Sequence, residues 1–217
     1  MRDLSVKKTL YYFRRLPLYV KRFIGSIGFE SGKLYIFKYE IDVPPINNTY
    51  DVKIATNIDD LSEIVLERGD EIGNMYITWL NSGFTCLIAT NEGKTVGLVW
   101  IVEGGTVPLE FRYKQKLKHK NEVGLIDAYV LKRERGKGVY RKLWNTALST
   151  IYNRGCNVMY GYILDDNELS FKVHYKMGMV KVDKILKYDK FLVFRIYRVK
   201  KLKKGKNIKE YKRFLNE

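Results

Sequence analysis

The chain has 217 residues, of which 40 are Lys or Arg and 24 are Asp or Glu, giving a formal charge of +16. At 46 % hydrophobic and 14 % aromatic it is too apolar for a disordered chain, and its length suits one mixed domain with an appendage. No 18-residue apolar run is available for a spanning helix, and the N-terminus has no unbroken apolar stretch with a small-residue cleavage site, so no secretory signal is expected.

Residues 1–26 carry seven Lys/Arg and one Asp, and residues 200–217 carry eight Lys/Arg and two Glu, which leaves 25 basic and 21 acidic residues between them. The excess therefore sits in two terminal segments around a nearly balanced domain, and this argues against a nucleic-acid-binding domain. Residues 4–15 read as a short helix, and Pro17 suits the first turn of a second, with Val20, Phe23 and Ile24 opposed by Lys21 and Arg22. Such basic amphipathic segments pack on a domain or lie on an anionic membrane, so residues 1–26 are candidates for peripheral contact with the membrane inner face. Lys33–Tyr39 is a strand, and Pro44-Pro45-Ile46-Asn47-Asn48 is the clearest linker-like stretch. The expected division is an extension of basic helices and a strand over 1–46, a domain over 51–199 and a basic tail over 200–217.

From residue 51 the elements alternate. Val52–Thr56 is a strand, Asn57 to Asp60 caps a helix over Leu61–Leu66, and Asn74–Leu80 is a second helix. Phe84–Ala89 and Thr95–Val102 form a hairpin around Asn91-Glu92-Gly93. Arg112, Lys114, Lys116, Lys118 and Lys120 alternate, as on a solvated edge or on a face that attracts an anion. Gly124–Leu131 is a strand, and Val139–Asn153 is the best helix, with Val139, Leu143, Ala147 and Ile151 repeating at four. Val158–Leu164 is a strand and Glu168–Met177 a helix; Met179–Lys187 and Phe191–Val199 pair around Tyr188-Asp189-Lys190. The strands flanking the long helix can pair in parallel through it, which gives a mixed α/β sheet. Cys86 and Cys156 lie far apart without zinc spacing, as in a reducing, cytoplasmic setting.

The most informative segment is Arg133-Glu134-Arg135-Gly136-Lys137-Gly138-Val139-Tyr140, where a strand runs through two close glycines straight into a helix. Glycines let successive N–H groups point inward, and a helix start adds unpaired donors and a positive dipole end. This can cradle a pyrophosphate, or can simply be a tight turn. It is neither a Walker loop nor a dinucleotide-binding glycine fingerprint, because Val139, Tyr140 and Arg141 follow the second glycine. With only two histidines, the spacing offers no convincing metal site, and no serine sits in a nucleophile elbow.

Arg133 to Gly138 satisfies the acyl-CoA signature Arg/Gln-x-x-Gly-x-Gly/Ala, and Asn167-Glu168-Leu169-Ser170 through His174-Tyr175-Lys176-Met177-Gly178-Met179 resembles the second motif of the GNAT superfamily of N-acetyltransferases. The element order from Val52 to Val199 fits as well. The resemblance implies a mostly antiparallel sheet with a splayed central parallel pair, flanked by helices. It implies acyl transfer from acetyl-CoA to an amine by direct attack, with no metal, or else a non-catalytic acyl-CoA-sensing or partner-binding module. The pyrophosphate would lie on the amides of Arg135, Gly136, Lys137, Gly138, Val139 and Tyr140, with Arg133 flanking, and the pantetheine arm along Ala128, Tyr129 and Val130. Asn167 would cap its helix or touch the cofactor. Glu122 and Asp127 are the candidate bases. Tyr175 and His174 compete to protonate the leaving thiolate; as helix neighbours about 100° apart, only one should face the cofactor. Two departures stand out. Tyr140 occupies the place where the glycine run often extends, and His174 stands where many members have a tyrosine acid. The basic N-terminal extension resembles those on GNAT-like proteins of bacterial surface-polysaccharide synthesis, which implies a sugar-linked amine acceptor.

Overall fold

The computed structural model describes residues 29–41, 51–178, 181–191 and 194–202. The helices expected over 4–26, the linker-like stretch 44–48 and most of the basic tail lie outside the described residues. The sheet has eight strands: β1 (Phe29–Glu40), β2 (Val52–Ile54), β3 (Thr85–Asn91), β4 (Lys94–Glu103), β7 (Glu122–Val130), β8 (Val158–Leu164), β9 (Val182–Phe191) and β10 (Phe194–Lys201). Their spatial order is β10-β9-β1-β8-β7-β4-β3-β2. A separate small hairpin pairs β5 (Thr106–Pro108) with β6 (Lys114–Lys116). The helices are α1 (Ser62–Arg68), α2 (Asp70–Asn81), α3 (Val139–Asn153) and α4 (Glu168–Lys176).

Helices cover both faces. On one, Leu143, Trp144, Ala147 and Ile151 of α3 and Phe171 of α4 pack on Tyr35, Phe37, Val99 and Ile163. On the other, Leu61, Ile64 and Tyr76 pack on Ile88, Leu98 and Trp100. The central strand β4 is therefore buried from Thr95 to Val102 and reads as a continuous apolar run, as a strand covered on both faces should. The turn of the β3–β4 hairpin has positive φ at both Glu92 (51°) and Gly93 (77°), which suits the twist of the flanking strands.

Two expectations change. The strand expected over Lys33–Tyr39 is longer and lies inside the sheet, between β9 and β8. Leu34, Tyr35, Ile36 and Phe37 are buried on alternating faces, which only an interior position satisfies. The structure thus carries a strand from the expected extension into the domain itself. The final hairpin is shifted as well: Tyr188 and Asp189 are not a turn but buried strand residues facing Gly32 and Ser31. Asp189 tolerates that position because Arg198, on the neighbouring strand, bonds its carboxylate.

The site is positioned by β7 and β8. They are parallel but pair only at Glu122↔Val158, Val123↔Met159 and Gly124↔Tyr160. On its other edge β7 stays paired with β4, with one irregularity: Trp100 faces Asp127 while Ile101 faces Leu125. Ile126 is the extra residue of a β-bulge, which bends β7 away from β8. The two strands splay from that point, and a cleft of about 760 Å³ opens between them.

Candidate active site

The cleft runs from the bulge to the glycine turn. One wall is Leu125 to Val130 of β7, the other is Tyr162 to Leu164 of β8, and the first turn of α3 and one side of α4 from Leu169 to Lys176 close it. Backbone N–H and C=O groups on the open side of β7 face the cleft and can pair with an extended ligand as an added strand would. At the turn, Gly136 and Gly138 have φ of 80° and 82°. A Cβ at either would meet nothing within 4 Å, so the backbone conformation rather than crowding demands glycine there. No side chain caps α3 and its first turn has no acidic residue, so its leading N–H donors and dipole remain available to an anion.

Of the residues singled out on the sequence, Asp127, Ala128, Tyr129, Val130, Arg135, Gly136, Gly138, Val139, Tyr140, Asn167 and His174 line this one cleft. Arg135 donates from Nε to the Val130 carbonyl and lies over the Tyr129 ring, which fastens the turn to the strand end. The Tyr129 phenol donates to Glu67 (2.6 Å), so Tyr129 offers the cleft its backbone. Asn167 caps α4 by accepting from the Ser170 N–H (3.0 Å) while also lining the cleft.

The side chains of four expected site residues are not among those that line the cleft. Arg133 pairs with Glu63 (3.0 Å) and Lys137 with Glu134 (3.1 Å), both as exposed cations beside the turn. Glu122 lies at the start of β7, before the splay. Its carboxylate accepts from the Lys118 and His119 N–H groups and the Tyr160 hydroxyl. Burial raises its pKa, but these hydrogen bonds outweigh it and hold the carboxyl low, so Glu122 secures a loop and is no base for the cleft. Tyr175 packs against the core on the α3 side and is not among the cleft residues, whereas His174 is. Their helical offset turns the histidine inward. The alternating cations also stay out of the cleft: Lys114 and Lys116 are exposed around a buried Gln115, with Leu117 buried after them.

His174 is held on both sides. Its Nδ1 lies 2.8 Å from the Ser170 carbonyl, and its Nε2 lies 2.7 Å from the Tyr140 hydroxyl. A carbonyl can only accept, so Nδ1 carries the proton and Nε2 accepts from the phenol. Burial lowers the His174 pKa, against a smaller opposing effect of the Ser170 bond, and favours the neutral ring. Burial raises the Tyr140 pKa, and the Asp127 charge raises it further. Tyr140 therefore stays a protonated phenol.

At the bulge end, three residues from distant parts of the chain meet. Asp127 Oδ2 accepts from Arg68 Nη1 (2.5 Å) and from the Tyr76 hydroxyl (2.6 Å). Glu110 lines the same end; its carboxyl is raised first by desolvation against the cleft wall and then by Asp127. Arg68, Tyr76, Glu110 and Tyr162 carry no local sequence signal. Arg68, Glu110 and Tyr162 line the cleft and Tyr76 reaches it only through its bond to Asp127; the fold brings them to β7 from α1, the β5–β6 connection, β8 and α2.

The family model for the acetyltransferase (GNAT) family matches residues 56–179, more than half of the chain. The chain belongs to the GNAT family. Its sheet is mostly antiparallel with one parallel pair, β7 with β8, and the family is one of acetyltransferases. Among solved structures, a GNAT-family acetyltransferase from Novosphingobium aromaticivorans matches with TM-score 0.53 at 9 % identity, over 80 % of this chain and 66 % of that one. A conserved protein from Staphylococcus epidermidis matches with TM-score 0.51 at 13 % identity, over 91 % and 75 %. An aminoglycoside N-acetyltransferase solved with CoA matches at 22 % identity over 61 % and 92 %, with TM-score 0.47. No curated protein sequence gives a significant match. No group of three or more metal-ligating side chains occurs among the described residues, and no described helix is long and apolar enough to cross a membrane.

Proposed function

We propose that this GNAT protein transfers an acetyl group from acetyl-CoA to a small-molecule or sugar-linked amine. The observation that carries the reading is the continuity of one surface: the splayed edge of β7, bent at Ile126, leads into a two-glycine turn and an uncapped helix start. Its donors suit the ligand: an amide-containing arm would pair along Ala128–Val130, and a pyrophosphate would take the amides from Arg135 to Tyr140. Acetyl-CoA supplies an acyl group activated as a thioester.

The chain's own residues orient and move protons. The α3 N-terminus and the flanking cations hold the phosphates. The bulge at Ile126 turns main-chain donors toward the cleft, where they stabilise negative charge that develops on an acyl oxygen. The acceptor enters at the end lined by Arg68, Glu110 and Asp127. Arg68 and Tyr76 occupy Asp127, so Glu110, with its raised carboxyl, is the proton acceptor for the incoming amine. Residues 1–26 would bring the domain to an anionic membrane surface at the cytoplasmic side, where a sugar-linked amine could be met.

Calorimetric titration with acetyl-CoA tests the reading. Binding is expected for the wild type and should be lost when Gly136 and Gly138 are both changed to Val, because β-branched residues cannot adopt the required φ. No binding by the wild type at millimolar ligand would refute it. Binding without turnover on any amine panel would favour an acyl-CoA-sensing module instead.

A further inference from the structure

Resting on the acyl-transfer reading above, we propose that Tyr140, delivered from the first turn of α3, is the proton donor to the departing sulfur, with His174 as its positioning residue. The second family motif places a histidine on α4 where an acidic hydroxyl would be sought, and the neighbouring Tyr175 packs away from the cleft. The missing hydroxyl is supplied from the facing helix. Tyr140 follows Gly138 by two residues, so its side chain crosses from the glycine turn toward α4, and its hydroxyl reaches His174 Nε2 at 2.7 Å.

Three contacts fix that hydroxyl. The Tyr140 ring packs against Trp144, one turn along the same helix, with centroids 6.3 Å apart, and edge-on to His174 at 5.5 Å. His174 cannot swing away, because its Nδ1–H is bound to the Ser170 carbonyl and its ring stands edge-on to Trp144. The neutral ring accepts the phenol hydrogen bond without removing the proton. Burial first, and then the Asp127 charge, keep the resting Tyr140 hydroxyl protonated, so it holds a proton when the sulfur departs.

The step balances. The acceptor nitrogen forms a bond to the acyl carbon, and the C–S bond breaks with its electron pair on sulfur. Tyr140 turns its O–H from His174 Nε2 to the sulfur and gives up the proton. The proton shed by the acceptor nitrogen returns through solvent to the Tyr140 oxygen. The net change is thioester and amine to amide and thiol.

The test uses the full chain, acetyl-CoA, and hydroxylamine as a minimal acceptor, with thiol release as the readout. Tyr140→Phe keeps the ring packing and should bind acetyl-CoA in the calorimeter as the wild type does, but release thiol about a hundred-fold more slowly. The loss should shrink for a thioester whose leaving group is an acidic aromatic thiol, which needs no proton; a merely structural role would not show this dependence. Tyr175→Phe should release thiol at the wild-type rate. Independently of turnover, histidine nitrogen NMR should show His174 as the Nδ1–H tautomer, with an Nε2 resonance that moves in Tyr140→Phe. The assignment is overturned by a Tyr140→Phe rate equal to wild type, by a loss in Tyr175→Phe instead, by equal losses for both leaving groups, by an Nε2–H tautomer, or by a wild type that binds acetyl-CoA and releases no thiol above buffer. Absence of acetyl-CoA binding by the wild type sinks the acyl-transfer reading itself, whereas normal binding with any of those outcomes sinks only the role of Tyr140.

Discussion

Removing the Asp127 carboxylate should cost far more than its position on an open cleft suggests. It accepts from Arg68 and Tyr76 at one oxygen, and Arg68 also bonds the Tyr76 hydroxyl, so the three groups form a closed unit. The Arg68 and Asp127 side chains are 21 % and 17 % exposed, and the Tyr76 residue is fully buried. Orphaning one partner of a buried ion pair costs about 3–5 kcal/mol. The residual water access argues for the lower end, so Asp127→Ala should lose about 3 kcal/mol, or roughly 6–12 °C in Tm for a chain of this size. Arg68→Met alone leaves Asp127 hydrogen-bonded to Tyr76 and should lose about 2 kcal/mol. Because both substitutions remove the same interaction, the double variant should lose about 3 rather than about 5 kcal/mol, a coupling of about 2 kcal/mol. Urea unfolding followed by both far-ultraviolet dichroism and tryptophan fluorescence measures all four proteins, and coincident transitions license the two-state values. A double variant whose loss equals the sum of the single losses within about 0.5 kcal/mol would refute the triad as a unit.

Two further outcomes follow from particular contacts. A Cβ on Gly124 would lie 2.5 and 2.6 Å from the two Val107 methyls, so Gly124→Ala should cost about 1–3 kcal/mol, and Val107→Ala added to it should return most of the loss in the same urea assay. His174 has a folded-state pKa below its ordinary 6.5 because burial disfavours the imidazolium. The unfolded chain then binds more protons in the acidic window, so this contribution is full above pH 6.5 and is lost as pH falls through the lower folded value. Tm of the wild type should therefore fall between pH 7.5 and pH 5 with a component that His174→Gln lacks; parallel curves would contradict it.

What the sequence made legible was local. The repeat of Val139, Leu143, Ala147 and Ile151 at four matches the buried face of α3, and Gly155, with φ of 82°, ends the helix as its position suggests. The glycine turn was legible because conformation alone imposes its residue types. Relations between distant segments were not. Nothing near Arg68 announces Asp127, 59 positions on, and the bulge at Ile126 is a register event between strands, with no composition of its own. Tyr140 was visible as a departure from a glycine run, but its partner His174 lies 34 residues away on another helix. Tyr188-Asp189-Lys190 reads as a turn because its chemistry is polar; the Arg198 that neutralises Asp189 comes from the facing strand. Glu122 reads as a base because an acidic residue at a strand end looks available, and only the fold reveals the three donors that occupy it.

The interior position of β1 has a consequence for how the sheet is completed. β1 is synthesised before every other strand of the sheet, yet its neighbours β8 and β9 come from the other end of the chain. Until they emerge, a strand with four successive buried apolar positions has neither edge paired. Closing that loop is entropically expensive and involves contacts of long sequence separation, so assembly of this half of the sheet should be the slow part of folding. A fragment limited to residues 56–179 would be left with β8 as an open edge.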